Sequence, residues 1–421
     1  MASSALQRLE SGTALPAPER HCEMQRVVIA GAGPAGLSLA LGLARLGVPV
    51  TVLEKGAELA EESRASTLHP PTLELLADLG VIEPVLAAGL RAPKTQFRDR
   101  LKGPVATFDL GVLADDTPYP YRVQLEQNKL AEMLAVELLA GTVDGRWDAE
   151  ILMQHRSHGV ISADDTGVTL LVGTEDGFES IRCPWLIGAD GAHSAVRDSL
   201  GIAMLGETYP ERYLVVSVQD ELSDFLADLA LVNYVADPDE WLVLLRTPDH
   251  WRVLFPIGVD DVATALDPHR IQAKLNEVIN ADHTWSVLAA SLYIVSRAVA
   301  TTMRLGRVLL AGDAAHQNSP LGGMGMNSGI QDAVSCARRL ASVWHGTASE
   351  AVLDEYDVLR REVATGYVQT DSHANWLVLR EPDHAKRAAL QAELREIAAD
   401  PLRHRERMLR TAMLDAVRNN L

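Results

Sequence analysis

The chain is poor in the residues that carry most alternative chemistries. Only three cysteines occur in 421 residues, Cys22, Cys183 and Cys336, widely spaced and without a CxxC pair. That excludes a disulfide framework and a zinc ribbon, and it fits a reducing, cytoplasmic setting. His155 and His158 come closest to a paired metal site, but no carboxylate or cysteine completes a ligand set and RSHG reads as an exposed turn, so no metal is expected. Basic residues are outnumbered, 38 Lys and Arg against 57 Asp and Glu, for a formal charge of -19. A surface of that sign repels phosphate backbones and anionic membranes, which argues against nucleic acid as a partner. No window approaches the roughly 18 unbroken apolar residues of a membrane span. Residues 1–21 lack the basic start and apolar run of a secretory signal and read as a flexible tail. What is left is an acidic globular chain, monomer or homodimer, long enough for two or three domains and suited to small-molecule partners.

What the chain does have is glycine placed against strand ends. QRVVIA is a short β-branched run that ends in Gly31-Ala32-Gly33-Pro34-Ala35-Gly36, and LSLALGLARLG then follows with helical spacing and a stop at Gly47. VPVTVLEK supplies a second strand ending in Glu54 and Lys55, where an acidic side chain can accept hydrogen bonds from a ribose diol. Each glycine has a mechanical reason: Gly31 for the tight turn, Gly33 for backbone approach to a pyrophosphate, Gly36 for helix-on-strand packing. The unit is a dinucleotide-binding βαβ. Downstream, Arg64 can fork onto pyrophosphate oxygens and Gln127 can reach a ribose or ribitol hydroxyl. A helix is predicted from Thr72, behind the prolines of LHPPTLELL.

Two later segments repeat the logic. LIGADGAHSAVR places a strand before Asp190-Gly191 and then a helix carrying Arg197, and GRVLLAGDAAH is a buried strand ending in Gly312-Asp313. Beyond it, HQNSPLGGMGMNSGIQDA is dense with glycine, as close backbone approach to a ligand demands.

GAGPAG, DGAHSAVR and GDAAHQNSPLGGMGMNSGIQDA, in that order over residues 24 to 340, resemble the signatures of the class A flavoprotein aromatic hydroxylases, the family that includes p-hydroxybenzoate hydroxylase. The resemblance implies an α/β fold: a Rossmann-like FAD-binding domain of the p-hydroxybenzoate hydroxylase type, an inserted antiparallel β-sheet substrate domain, and C-terminal helices. It implies FAD as cofactor, NADPH or NADH as co-substrate, and hydroxylation of a phenolic or heteroaromatic small molecule by O2 through a flavin C4a-hydroperoxide. Gly31, Gly33, Ala35, Gly36, Glu54 and Lys55 would hold the ADP half, and Arg64 and Gln127 its pyrophosphate and ribose. Asp190 and Arg197 would serve both FAD and NAD(P)H. Gly312 and Asp313 would bind the ribityl region, while Pro320, Gly323, Gly325, Met326 and Asn327 would line the isoalloxazine. Pro320 and His316 are the catalytic candidates, with His69 the other histidine in the motifs. Met324 and Arg360-Arg361-Glu362 depart from the commoner residues of the family.

The organisation expected from motif order is an FAD-binding domain over 22–94, 112–200 and 300–344, a substrate domain over 95–111 and 201–299, and a helical region over 345–421. In ERYLVVSVQD, LALVNYVAD and EWLVLLRTPDHWRVLFPIG, aromatic and aliphatic residues alternate as in an antiparallel sheet, with a helix near PHRIQAKLNEVI. Tyr213, Asn233, Tyr234, Trp241, Arg246 and Trp251 are the candidates for stacking on or hydrogen bonding a ring, and alternation sends about half of them to the other face. A flavin halogenase is a rival on the same fold, but Trp251-Arg252-Val253-Leu254-Phe255-Pro256 lacks the halogenase Trp-x-Trp-x-Ile-Pro pattern. A flavin-binding protein without turnover is the other rival, and the intact glycine loop argues against it.

Overall fold

The run VVIA has no polar position, and all four residues are buried, as a strand covered on both faces requires. In the computed structural model, which describes residues 19–20, 25–61 and 65–418, it is Val27–Ala30, near the middle of a six-stranded sheet. The spatial order is Arg304–Leu305, Val308–Leu310, Leu186–Gly188, Val27–Ala30, Val50–Leu53, Ala149–Leu152. All neighbours are parallel except the first pair. Val50–Leu53, the next strand in sequence, lies on one side of Val27–Ala30, and Leu186–Gly188 with Val308–Leu310 lies on the other, so the sheet has its switch point there, and a crevice opens beyond the strand ends.

Register makes the crevice specific. Ala30 lies level with Gly188, and Gly188 with Leu310. Three segments remote in sequence therefore leave three adjacent strands at one height, each carrying a glycine motif. Behind them the helices Pro34–Arg45 and Gly325–Trp344 cross at small residues: a Cβ on Gly42 would stand 3.0 Å from the Ala337 Cβ.

The second body is an eight-stranded sheet in the order His316–Gln317, Val287–Ala300, Met204–Val218, Trp251–Ile257, Leu242–Arg246, Val232–Ala236, Lys94–Asp99, Gly103–Asp109. Lys94–Asp99 joins it by a parallel pairing with Val232–Ala236. Its two faces go separate ways because side chains alternate. One face packs under the helix Pro268–Ile279, capped by Asp267, which accepts from His269 N and Arg270 N at 3.0 Å. Burying Ile271, Leu275 and Val278 there contributes about 1.5–3 kcal/mol each. The other face is covered by the C-terminal helices through Leu379, Leu394 and Met408, and by Leu321 from the third motif.

The local expectations shift in places. The helix expected from Thr72 begins at Pro70, because proline tolerates a first turn that needs no N–H. RSHG is not a turn but the start of the strand Arg156–Asp164, which bulges at Gly159, φ +111°, where a Cβ would stand 2.6 Å from Ser199. The tail expected over 1–21 lies outside the described residues apart from Glu19–Arg20, which pair in parallel with Gly177–Cys183. Among the described residues no helix is long and apolar enough to cross a membrane, and no group of three or more metal-ligating side chains gathers.

Candidate active site

Gly31 turns the chain at φ +106°, and a Cβ there would lie 2.4 Å from the Ala189 carbonyl oxygen. A Cβ on Gly36 would lie 2.0 Å from the Gly31 oxygen. Both positions exclude every other residue. Gly33 differs: it is exposed, and nothing stands within 4 Å of where its Cβ would be. The opening faces the first turn of Pro34–Arg45, which carries no acidic residue and whose N–H groups have no intrahelical acceptors. Glu54 accepts from Ala32 N and Gly56 N, both at 3.0 Å, so its carboxylate braces the first turn; Lys55 is exposed. Ala35 touches the third motif, its Cβ 3.0 Å from where Gly312 would carry one.

In the second motif one Asp190 oxygen accepts from Val196 N at 3.2 Å, and the other is buried without a hydrogen-bond partner. An orphaned carboxylate oxygen costs stability until a ligand donates to it. Arg197, expected at the cofactor, is buried and spends its donors on Ala192 O at 3.2 Å, Ala314 O at 3.2 Å and Asp198 at 2.8 Å. It ties the second motif to the third. Gln127 braces the segment at Ala65: its side-chain oxygen accepts from Ala65 N at 3.2 Å, and its own N–H donates to Ala65 O. Arg64, the residue before, lies outside the described residues.

The third motif opens with Gly312 at φ +62° and an exposed Asp313, then turns through an exposed Pro320, whose carbonyl accepts from Gly323 N at 3.0 Å. Gly322 and Gly323 have φ of +111° and +69°. Asn327 is fully buried, donating to Thr67 O and Gly323 O and accepting from His69 N at 2.8 Å. Its side chain therefore fastens the loop to Thr67–Leu68. Gly325 sits against Asn318, and Met326 is half-buried at the start of Gly325–Trp344. Met324, a departure from the family, is buried among Val363, Val368, Met413 and Ala416, so the C-terminal helices make an apolar side chain fit there.

His316 is buried against Asp332, Nε2 to Oδ2 at 2.7 Å, and Asp332 also accepts from Arg360 Nε at 2.6 Å and Gly312 N at 3.0 Å. Burial alone would push the Asp332 carboxyl up; the His316 and Arg360 charges and hydrogen bonds overcome it and hold the carboxyl below its usual range. His316 thus belongs to a buried ionic brace beneath Gly312. No spacing along the chain signals it: Asp332 reads as one more helix residue, and Arg360 stands out only as part of Arg-Arg-Glu. His69 is likewise buried, Nε2 2.9 Å from Gly322 O. Burial, then the Arg122 charge, lower its pKa well below the ordinary value against the pull of that carbonyl.

Strand alternation sorts the six ring-binding candidates. Tyr213, Tyr234 and Trp241 are buried on the face that meets Leu321 of the third motif. The Tyr213 and Trp241 rings meet edge to face at 5.1 Å. Burial raises the Tyr213 phenol, and Ser319, next to Pro320, opposes the rise together with the Arg380 charge. Asn233, Arg246 and Trp251 lie on the opposite face: Asn233 bonds the Ala230 backbone, and Arg246 and Trp251 share Glu221 at 3.1 and 2.5 Å. Arg252, in register with Ser217 and Leu245, has the inner-face parity instead.

Exposed Gly33 and Asp313, the orphan oxygen of Asp190 and the acid-free helix starts at Pro34 and Gly325 thus stand along one sheet edge. That set fits a dinucleotide carrying a pyrophosphate and hydroxyl donors, as FAD does. The family described as FAD binding domain matches residues 24–371. Para-nitrophenol 4-monooxygenase of Pseudomonas sp. (strain WBC-3) is 32% identical over 381 residues, 89% of this chain and 92% of the relative. 6-Hydroxy-3-succinoylpyridine 3-monooxygenase HspB of Pseudomonas putida (strain DSM 28022 / S16) is 33% identical over 342 residues, 80% of this chain and 84% of that one. The crystal structure of p-nitrophenol 4-monooxygenase PnpA from Pseudomonas putida DLL-E4 superposes with a TM-score of 0.87 at 32% identity, covering 94% of this chain and 99% of that one. The chain belongs to this FAD binding domain family and is an FAD-dependent aromatic monooxygenase.

Proposed function

We propose that the chain is a cytoplasmic, single-component hydroxylase of one small phenolic or hydroxypyridine ring. The observation that carries this reading is the seating of the C-terminal helices on the inner face of the eight-stranded sheet, where Leu379, Leu394 and Met408 join Val215, Val243 and Leu254. An apolar face so covered suits a compact aromatic ring. The match to p-nitrophenol 4-monooxygenase over 99% of that chain supports the same size of substrate. Both described cysteines are buried free thiols, as a reducing compartment suits, and burial with the nearby Asp332 charge pushes the Cys336 thiol up to about 12.

The overall reaction balances as ring C–H, O2, NAD(P)H and a proton giving ring C–OH, NAD(P)+ and water. FAD, when bound, takes up the two electrons of NAD(P)H and supplies one oxygen atom of O2 to the ring. The chain's own residues do the rest. Gly31, Gly33 and Gly36 let the backbone meet the pyrophosphate, with Glu54 bracing them. Asp190 accepts at its orphan oxygen, and Asp313, at the end of its strand, stands toward the ribityl chain. The first-turn N–H groups of Gly325–Trp344 favour negative charge by about 0.3–1 kcal/mol, up to ~2 where buried. Pro320 and Gly323 keep side chains out of the way of the reacting ring. We assign 22–94, 112–200 and 300–344 to the cofactor, 95–111 and 201–299 to the substrate, and the helices beyond 345 to closing the substrate face.

Stimulated NAD(P)H oxidation, with mass detection of one added oxygen, tests the reading across nitrophenols, hydroxypyridines, aminobenzoates and polyketide quinols. Turnover of a single-ring phenol or hydroxypyridine is expected. Turnover of polycyclic quinols alone would overturn the assignment of ring size.

A further inference from the structure

The small three-stranded sheet formed by Thr67–Leu68, Arg122–Gln124 and Leu90–Ala92 holds a charge that the fold leaves uncompensated. Arg122 is 4% exposed, and its Nε and Nη1 are buried with no hydrogen-bond partner. No carboxylate among the described residues forms an ion pair with it. Two residues on, Gln124 is fully buried; its side-chain oxygen accepts from Thr67 Oγ1 at 3.0 Å while its Nε2 donates to nothing. Val123 between them enters the core, so Arg122 and Gln124 share the opposite face of the strand. Thr67, paired opposite Gln124, abuts Gly323: a Cβ on that glycine would stand 3.0 Å from the Thr67 Cβ. His69, whose protonation the Arg122 charge disfavours, hydrogen-bonds Gly322 and has a buried Nδ1 without a partner. A buried guanidinium without a counter-ion is costly to fold, and native proteins keep one where a ligand completes it.

We propose that Arg122 and Gln124 form an oxyanion site beside the Pro320–Asn327 loop, which binds the ionised ring oxygen of the phenolic substrate. The chemistry follows from the donor set. A guanidinium edge and one amide N–H on the same strand face offer donors and a full positive charge, which a planar phenolate oxygen matches in charge as well as in geometry, and a neutral carbonyl in geometry alone. Holding the phenolate form also activates the ring, because the anion is the better nucleophile toward an electrophilic oxygen. This inference rests on the proposed phenol hydroxylase reading.

The test uses the FAD-loaded enzyme and 4-nitrophenol, whose anion absorbs in the visible while the phenol does not. Wild type is expected to bind the anion, so that the bound compound is ionised at a pH where most of the free compound is not. Arg122→Gln should weaken binding by roughly 10–100-fold, the worth of hydrogen bonds to a charged group, and abolish the spectral shift. Arg122→Lys should restore the shift in part, and Gln124→Leu should weaken binding less than Arg122→Gln. FAD affinity should stay within about twofold in all three, by the same arithmetic. The inference is overturned if the variants bind and ionise 4-nitrophenol as wild type does, or if their loss falls on FAD affinity or flavin potential instead, which would assign the pair to the cofactor's pyrimidine edge. If Arg122→Gln does not fold, the Lys and Leu variants decide by the same readout. Wild-type oxygenation of the phenol panel is measured in parallel: turnover with no effect of the variants defeats this inference alone, and no binding or turnover of any phenol defeats the reading beneath it.

Discussion

Asp332→Asn should be among the most damaging conservative substitutions in the chain, although Asp332 need touch no ligand. The wild-type carboxylate is fully buried and takes hydrogen bonds from Arg360 Nε at 2.6 Å, His316 Nε2 at 2.7 Å and Gly312 N at 3.0 Å. Asparagine keeps the shape but replaces an acceptor by a donor and leaves the fully buried Arg360 guanidinium without its counter-charge. Breaking a buried pair in this way costs about 3–5 kcal/mol. With an unfolding entropy of about 2.1 cal/mol/K per residue over 421 residues, that corresponds to a fall in Tm of roughly 3–6 °C if the chain melts as a unit. Thermal melts of apo and FAD-loaded protein measure it, and FAD affinity should fall too, because Gly312 N loses its anchor. Removing the ion pair as a unit, Asp332→Leu with Arg360→Met, should recover the part of the loss that the uncompensated Arg360 charge causes, while Gly312 N and His316 stay without their acceptor. A fall below about 1 °C for Asp332→Asn, less than 1 kcal/mol on the same conversion, would rule out a buried ion pair of that worth. So would a double variant as unstable as the single one.

Three further outcomes follow from the geometry. Gly33→Ala should fold normally yet bind FAD at least about tenfold more weakly, since its Cβ meets only the ligand, whereas Gly36→Ala should lose stability outright; equal effects on apo stability would contradict this. Asp190→Asn keeps an acceptor for Val196 N but removes the charge of the orphan oxygen, so apo stability should hold or rise while FAD binding or reduction by NAD(P)H weakens; rapid-mixing reduction kinetics and FAD titration measure both. His69, held neutral in the fold, takes a proton on unfolding once the pH drops below about 6.5, so the native state loses up to about 1.4 kcal/mol per pH unit from there down to its lowered value. His69→Gln should flatten that acid limb of the stability curve, and melts between pH 7 and pH 5, within about that window, would show an unchanged slope if burial of His69 is not the cause.

The parts legible in the sequence are those in which one residue type answers one local constraint. Gly31 and Gly36 announce contacts that no side chain fits, and a strand ending in Gly312-Asp313 announces a sheet edge; the fold and cofactor follow from these. The illegible parts are long-range pairings. Nothing near Arg197 says that its guanidinium will reach Ala314, and nothing near His316 says that Arg360, 44 positions on, will share its carboxylate. Alternation states that neighbours on a strand face apart but not which of them faces the site, so Asn233, Arg246 and Trp251 could be sorted from Tyr213 and Tyr234 only by the packing of each face. Arg122 was invisible for a related reason: a strand arginine is usually solvated, and only its burial without a partner marks it.

Isotope labelling reads oxygen transfer from O2 to the aromatic ring. With 18O2, NAD(P)H, the FAD-loaded enzyme and the phenol that most stimulates NAD(P)H oxidation, the product should carry one labelled oxygen for each NAD(P)H consumed. Label entering only from 18O-water, or NAD(P)H oxidation that yields hydrogen peroxide and no oxygenated ring with any phenol or hydroxypyridine, would contradict it.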